Sequence, residues 1–192
     1  MKKVLSILLV FSLFFLVNVK NVLAADVSQL KSTKLKTCVV LIGNSDVKTP
    51  DFIKYIDKEF NNEEAKKRIA CGVEIQSIYQ NYWFQKGYLE EQKLQKQDLH
   101  DFVKFSSYDR CLFLIISDPV VEKTKVPAGW FTTAEKTRAS MEVKCFLADS
   151  TDIIKSFSVV KNDDSMASDL RAKRGAFEKC VKEFVKEFKP LV

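Results

Sequence analysis

The chain has 192 residues, of which 46% are hydrophobic and 29% charged, with only five glycines and four prolines. These proportions suit a folded domain and exclude collagen-like, linker-rich and glycine-cradled phosphate architectures. The formal charge is +6, but setting aside Lys2, Lys3 and Lys20 leaves 28 basic against 25 acidic side chains, a net +3 and too small an excess for a nucleic-acid reader.

Lys2 and Lys3 precede an apolar stretch over residues 4–17, broken only by Ser6 and Ser12, and Val22-Leu23-Ala24 follows Lys20. This is the basic end, apolar core and small-residue cut of an export signal. The run is shorter than the roughly 20 apolar residues of a membrane span. The expectation is a signal peptide over 1–24 cleaved near Ala24, a flexible lead-in over 25–36 and a single α/β domain over 37–192. The product would be exported, to the periplasm or beyond it. The first cysteine is Cys38, so none follows the cut to be acylated, and no stable membrane anchor is expected.

Residues 38–42, Cys-Val-Val-Leu-Ile, form a short continuous apolar run ended by Gly43, the pattern of a buried strand. Thr49 then caps a helix with Pro50 at its first position and Phe52, Ile53, Ile56 and Phe60 on one face. The charged residues 63–68 extend or follow that helix, and Gly72 closes it. Val73, Ile75, Ile78 and Tyr79 read as a second strand, and residues 89–105 as a helix with Leu99, Phe102 and Val103 on one side.

Residues 111–116 are the most apolar run after the leader and predict a central strand buried on both faces. Residues 141–148 and 153–160 predict a hairpin around the turn Asp149-Ser150-Thr151-Asp152. Ser168 or Asp169 caps a last helix with the stripe Phe177, Val181, Phe184, Val185 and Phe188. The order is β-α-β-α-β-β-β-α, an α+β sandwich of helices on a mixed sheet of about five strands.

The five cysteines, Cys38, Cys71, Cys111, Cys145 and Cys180, cannot all pair within one chain. Cys38, Cys111 and Cys145 lie inside apolar patterns and read as small buried hydrophobes. No CxxC pair exists, so zinc-ribbon and thioredoxin chemistry lack their local signature.

The export leader, the buried strand before a long excursion and the hairpin turn Ala148-Asp149-Ser150-Thr151-Asp152 together resemble one group of bacterial envelope modules. These are the TolB amino-terminal domain, the outer-membrane activators of penicillin-binding proteins and the periplasmic part of the curli secretion channel. The resemblance covers residues 37–188 and implies a module that binds partners and catalyses nothing. It carries over no functional residue, and the missing acylated cysteine departs from the lipoprotein members.

Candidate chemistry is sparse. His100, the only histidine, lies between Asp98 and Asp101 but off the apolar face of its helix, so a solvated surface side chain is expected rather than a general base. Asn162-Asp163-Asp164-Ser165 clusters oxygen donors without a calcium-loop spacing and reads as a solvated connection between the last strand and last helix. No hydrolase, phosphate-loop or dinucleotide motif occurs, and no cofactor or metal ligand set is implied.

Aromatic residues carry the recognition signal. Tyr79, Tyr82, Trp83, Phe84 and Tyr88 crowd ten positions and read as core packing. Trp130 and Phe131 stand in residues 117–137, a long excursion marked by Pro119, Pro127 and Gly129 with no evident regular structure. Trp130 either meets a partner there or folds back on the sheet; these two residues are the candidate partner-binding pair. The expected function is a non-catalytic envelope accessory protein binding a protein or a cell-wall glycan, with no nucleic-acid partner. The alternative is a small secreted hydrolase using His100 or a cysteine.

Overall fold

A computed structural model describes residues 36–45, 48–62, 67–90 and 93–192. The chain divides into Met1–Lys34 and Leu35–Val192, and every described residue belongs to the second unit. The leader, its cut and nearly all of the lead-in lie outside the described residues. Among the described residues, no helix is long and apolar enough to cross a membrane.

The elements are β1 (Thr37–Ile42), α1 (Pro50–Phe60), β2 (Ile69–Ala70), α2 (Val73–Gln85), α3 (Lys96–Ser106), β3 (Arg110–Ile116), β4 (Val120–Pro127), β5 (Thr133–Ala148), β6 (Ile153–Ser165) and α4 (Asp169–Phe188). They build an α+β fold on a mixed sheet of six strands. β1 lies parallel to β2 and β3, whereas β3, β4 and β6 all run antiparallel to β5. One edge of β5 pairs with β4 along its first half and with β3 along its second, so the opposite edge is left for β6.

The uniform apolarity of β1 and β3 follows from burial on both faces. Val39, Leu41, Leu112, Leu114 and Ile116 face a core closed by α1 and α4. The alternate residues Cys38, Val40, Ile42, Cys111 and Phe113 face a second core closed by α2 and α3. Phe52 of α1 meets Phe177 of α4 edge to face at 4.3 Å, and Tyr79 of α2 meets Phe102 of α3 at 5.1 Å.

Several sequence expectations are corrected. Residues 73–79 belong to a helix, because Ile75, Tyr79, Tyr82 and Trp83 recur at helical spacing and all four are buried. Gly72 therefore precedes α2 instead of closing α1, and it adopts a φ of 157° that suits glycine. The second strand is the two-residue β2, too short to announce itself. α3 begins at Lys96 rather than near residue 89, where Gln95 caps it and Asp98 returns its carboxylate to the Gln95 N–H at 2.9 Å.

Two further corrections shape the site. Residues 117–137 are a β-hairpin rather than an unstructured excursion. Asn162, Asp163, Asp164 and Ser165 are the end of β6 and not a connection, because each pairs with a residue of β5 between Thr137 and Ser140.

Candidate functional site

β5 is 16 residues long, and only part of it lies within the sheet. Its register with β4 runs from Val120↔Ser140 to Pro127↔Thr133, whereas β6 reaches only to Thr137↔Ser165. Residues 124–127 and 133–136 therefore pair with each other alone. They form a two-stranded arm that extends beyond the last β6 pair by about 13 Å at the usual strand rise. The turn over residues 128–132 is closed by the Ala128 N–H donating to the Thr132 carbonyl at 2.9 Å. Gly129 leaves room there, since a Cβ would press to 3.0 Å from Thr132 Oγ1.

Trp130 and Phe131 sit at the outermost point of this turn, 97% and 98% exposed. Trp130 does not fold back on the sheet.

A two-stranded ribbon is marginal by itself in water. This one is fastened at its root. Thr137 Oγ1 donates to Asp169 Oδ1 at 2.8 Å, and Lys123 Nζ reaches Asp169 Oδ2 at 3.2 Å and Glu135 at 3.1 Å. On β6, Asp164 takes the Arg138 guanidinium through two bonds of 2.8 and 3.2 Å and the Lys136 ammonium at 2.7 Å. The Arg138 and Lys136 donors hold the Asp164 carboxyl far below the usual carboxylate range. Thr137 and then Lys123 lower Asp169 in the same way. The first turn of α4 and the last residues of β6 thus tie down the root of the arm.

The other sequence candidates fall elsewhere. His100 is buried, not solvated, and its Nδ1 donates to the Asp149 carbonyl at 3.0 Å, tying α3 to the β5–β6 turn. That turn is itself rigid: the Asp149 carboxylate accepts the N–H groups of Thr151 and Asp152 at 2.7 Å each and the Thr151 hydroxyl at 2.8 Å. Those backbone donors, Asp152 first, lower the Asp149 pKa. Neither neighbouring carboxylate serves His100 as an orienting group. Asp98 takes Lys86 at 2.6 Å, and although partial burial raises its pKa the Lys86 and Gln95 donors bring it below the ordinary value. Asp101 accepts from Gln97 at 2.8 Å.

None of the five cysteines is in a disulfide, and Cys38, Cys111, Cys145 and Cys180 are buried. Burial pushes the Cys71 thiol up to about 12 and Cys180 to about 11, and it raises Cys111 and Cys145 as well. Such thiols stay protonated at neutral pH and are poor nucleophiles. Asp163 and Asp164 are spent on Lys179 at 2.6 Å and on Arg138. No group of three or more His, Cys, Asp or Glu side chains that could hold a metal ion occurs among the described residues.

Of the first aromatic cluster, Tyr79, Tyr82 and Trp83 are buried in the α2–α3 core as expected, while Phe84 and Tyr88 are exposed. The arm root was not legible as a site. Its signal is the pair of acids Asp164 and Asp169 set against the basic residues Lys123, Lys136 and Arg138, which become neighbours only through the strand register.

No family model matches the chain, and no curated protein does. Among solved structures, it is similar to the lipoprotein GNA1162 from Neisseria meningitidis at 13% identity and a TM-score of 0.42, over 80% of this chain and 97% of that one. It is also similar to the hypothetical protein CT253 from Chlamydia trachomatis, at 8% identity and a TM-score of 0.39 over 82% and 96% of the two chains. A minor lipoprotein from Acinetobacter baumannii matches at 6% identity and a TM-score of 0.35, over 82% and 94%. None of these supplies a residue that can be carried onto this chain.

Proposed function

We propose that this chain is an exported, non-catalytic accessory protein of the cell envelope that engages its partner through the tip of the β4–β5 arm. The observation that carries the reading is the pair Trp130 and Phe131, almost wholly exposed at the end of a ribbon whose root is fixed by Asp164 and Asp169. Adjacent bulky aromatics are costly to leave in water, and a clamped mount removes much of the ordering entropy that binding would otherwise cost. Export is supported by the leader pattern of residues 1–24. The hydrolase alternative gains nothing from His100, which is committed to a backbone carbonyl, or from the Cys71, Cys111, Cys145 and Cys180 thiols, which burial holds protonated.

The test is capture of envelope fractions (membranes, cell-wall glycan and solubilised protein) on the immobilised exported protein. The double variant Trp130→Ala, Phe131→Ala is expected to lose at least tenfold in retention, as aromatic anchors do, with its melting temperature within a degree or two of the parent. Equal retention by the variant would overturn the assignment.

A further inference from the structure

The geometry points to an anionic lipid bilayer as the partner of the arm tip, an inference that rests on the arm being the recognition element. The choice follows from size, polarity and charge.

A protein partner of ordinary stability needs about 800 Å² on each side. Trp130 and Phe131 offer about 150 to 250 Å² each. Around them the turn holds only Ala128, Gly129 and Thr132, and the body of the sheet lies about 13 Å behind at the usual strand rise. The tip is thus a wedge with no flanking surface. A glycan platform, for its part, needs placed polar side chains beside the ring. Residues 126–132, Val-Pro-Ala-Gly-Trp-Phe-Thr, offer only the indole N–H and the Thr132 hydroxyl as side-chain hydrogen-bonding groups, and no amide or carboxylate. A lipid interface asks for what is present: an apolar point carrying an amphipathic indole that settles at the headgroup boundary.

A basic residue stands at the matching depth. Lys125 lies two residues behind the end of β4, whereas Lys136, three residues past the start of β5, is held by Asp164 at 2.7 Å. At the strand rise Lys125 is about 7 Å behind the turn. Interfacial apolar groups sink about 5 to 10 Å into a bilayer, which would bring the Lys125 ammonium to the phosphates. Glu135, the one carboxylate on the outer arm, is taken by Lys123 at 3.1 Å. Lys125 makes no ion pair among the described residues.

The experiment uses the protein as recovered from the exporting cell, with vesicles of phosphatidylglycerol and phosphatidylcholine in equal parts against phosphatidylcholine alone. Trp130 is its own reporter, since the other tryptophan, Trp83, is buried and supplies a constant background measured in Trp130→Phe. The expected result is a blue-shifted Trp130 emission, quenched by bromine placed on the upper acyl chain, with anionic vesicles and much less with zwitterionic ones. Phe131→Ala should weaken partition about tenfold, Lys125→Gln about fivefold, and added salt should mimic the lysine change. If Trp130 emission is unmoved by either vesicle while envelope-protein or glycan capture still depends on Trp130, the lipid assignment fails and the arm remains the recognition element. If neither readout depends on Trp130, both fail together.

Discussion

At the scale of single residues, His100 and Gly175 do more for stability than their sequence neighbourhoods announce. His100 is buried and bridges α3 to the Asp149 carbonyl, so His100→Ala strands that acceptor and is expected to cost about 1 to 3 kcal/mol. His100→Asn, whose amide nitrogen can occupy the place of Nδ1, should recover part of the loss in a denaturant titration. The sequence hides this burial because Leu99, Phe102 and Val103 define a helix face that excludes His100, and the β5–β6 turn, 49 residues away in the chain, covers its other side. Gly175 is a related case. It sits inside α4, where alanine is normally better by up to about 1 kcal/mol. Here a Cβ would run into the Asp163 carboxylate, which is paired to Lys179. Gly175→Ala is therefore expected to lower the melting temperature in the parent and to raise it in an Asp163→Ala background, a reversal of sign that propensity alone cannot give.

At the scale of elements, the arm shows why regular structure can be invisible in a sequence. A strand announces itself when one face is buried and every second residue is apolar. In residues 120–136 both faces meet water, so Val120, Val126 and Ala134 alternate with nothing, and Pro127 and Gly129 read as loop punctuation. The opposite holds at α2, where β-branched and aromatic residues suggest a strand although Ile75, Tyr79, Tyr82 and Trp83 carry the helical period. Strands β1 and β3, the apolar face of α1 and the α4 stripe are legible because burial dictates them, whereas Pro50 and the Ser168 cap are legible because a helix start leaves its first N–H groups unpaired.

The arm's mount yields a prediction at this scale. Asp164 and Asp169 titrate below the ordinary carboxylate value when folded. Their contribution is thus fully present above the unfolded value and fades as pH falls from roughly 4 toward the folded values. Fluorescence anisotropy of Trp130 should hold steady from neutral pH to roughly 5 and drop below roughly 4, as the ribbon loosens before the sheet unfolds. Asp164→Asn should show the lower anisotropy already at neutral pH.

At the scale of the whole molecule, stability and recognition occupy different places. The two cores meet back to back across β1 and β3, and large fully buried rings such as Phe102, Phe113, Phe177 and Phe184 fill them. Truncating Phe177 or Phe102 to alanine is expected to cost about 3 to 5 kcal/mol. The outer arm contributes nothing to either core: residues 124–127 and 133–136 pair in the sheet only with each other, and their ties to the rest of the fold are the ion pairs of Lys136 with Asp164 and of Glu135 with Lys123. This separation has a direct consequence for truncation. Replacing residues 124–136 by a two-residue Asn-Gly turn joins Lys123 to Thr137, which already face each other across the ribbon. The Thr137 and Lys123 bonds to Asp169 and the Arg138 bonds to Asp164 remain, and only the Lys136 and Glu135 partners are removed. The shortened protein should therefore unfold in a single transition within a few degrees of the parent while losing envelope retention as completely as the double aromatic variant. A large fall in melting temperature would mean that the ribbon supports the sheet, and its exposed tip would then be the end of a structural brace rather than a recognition element.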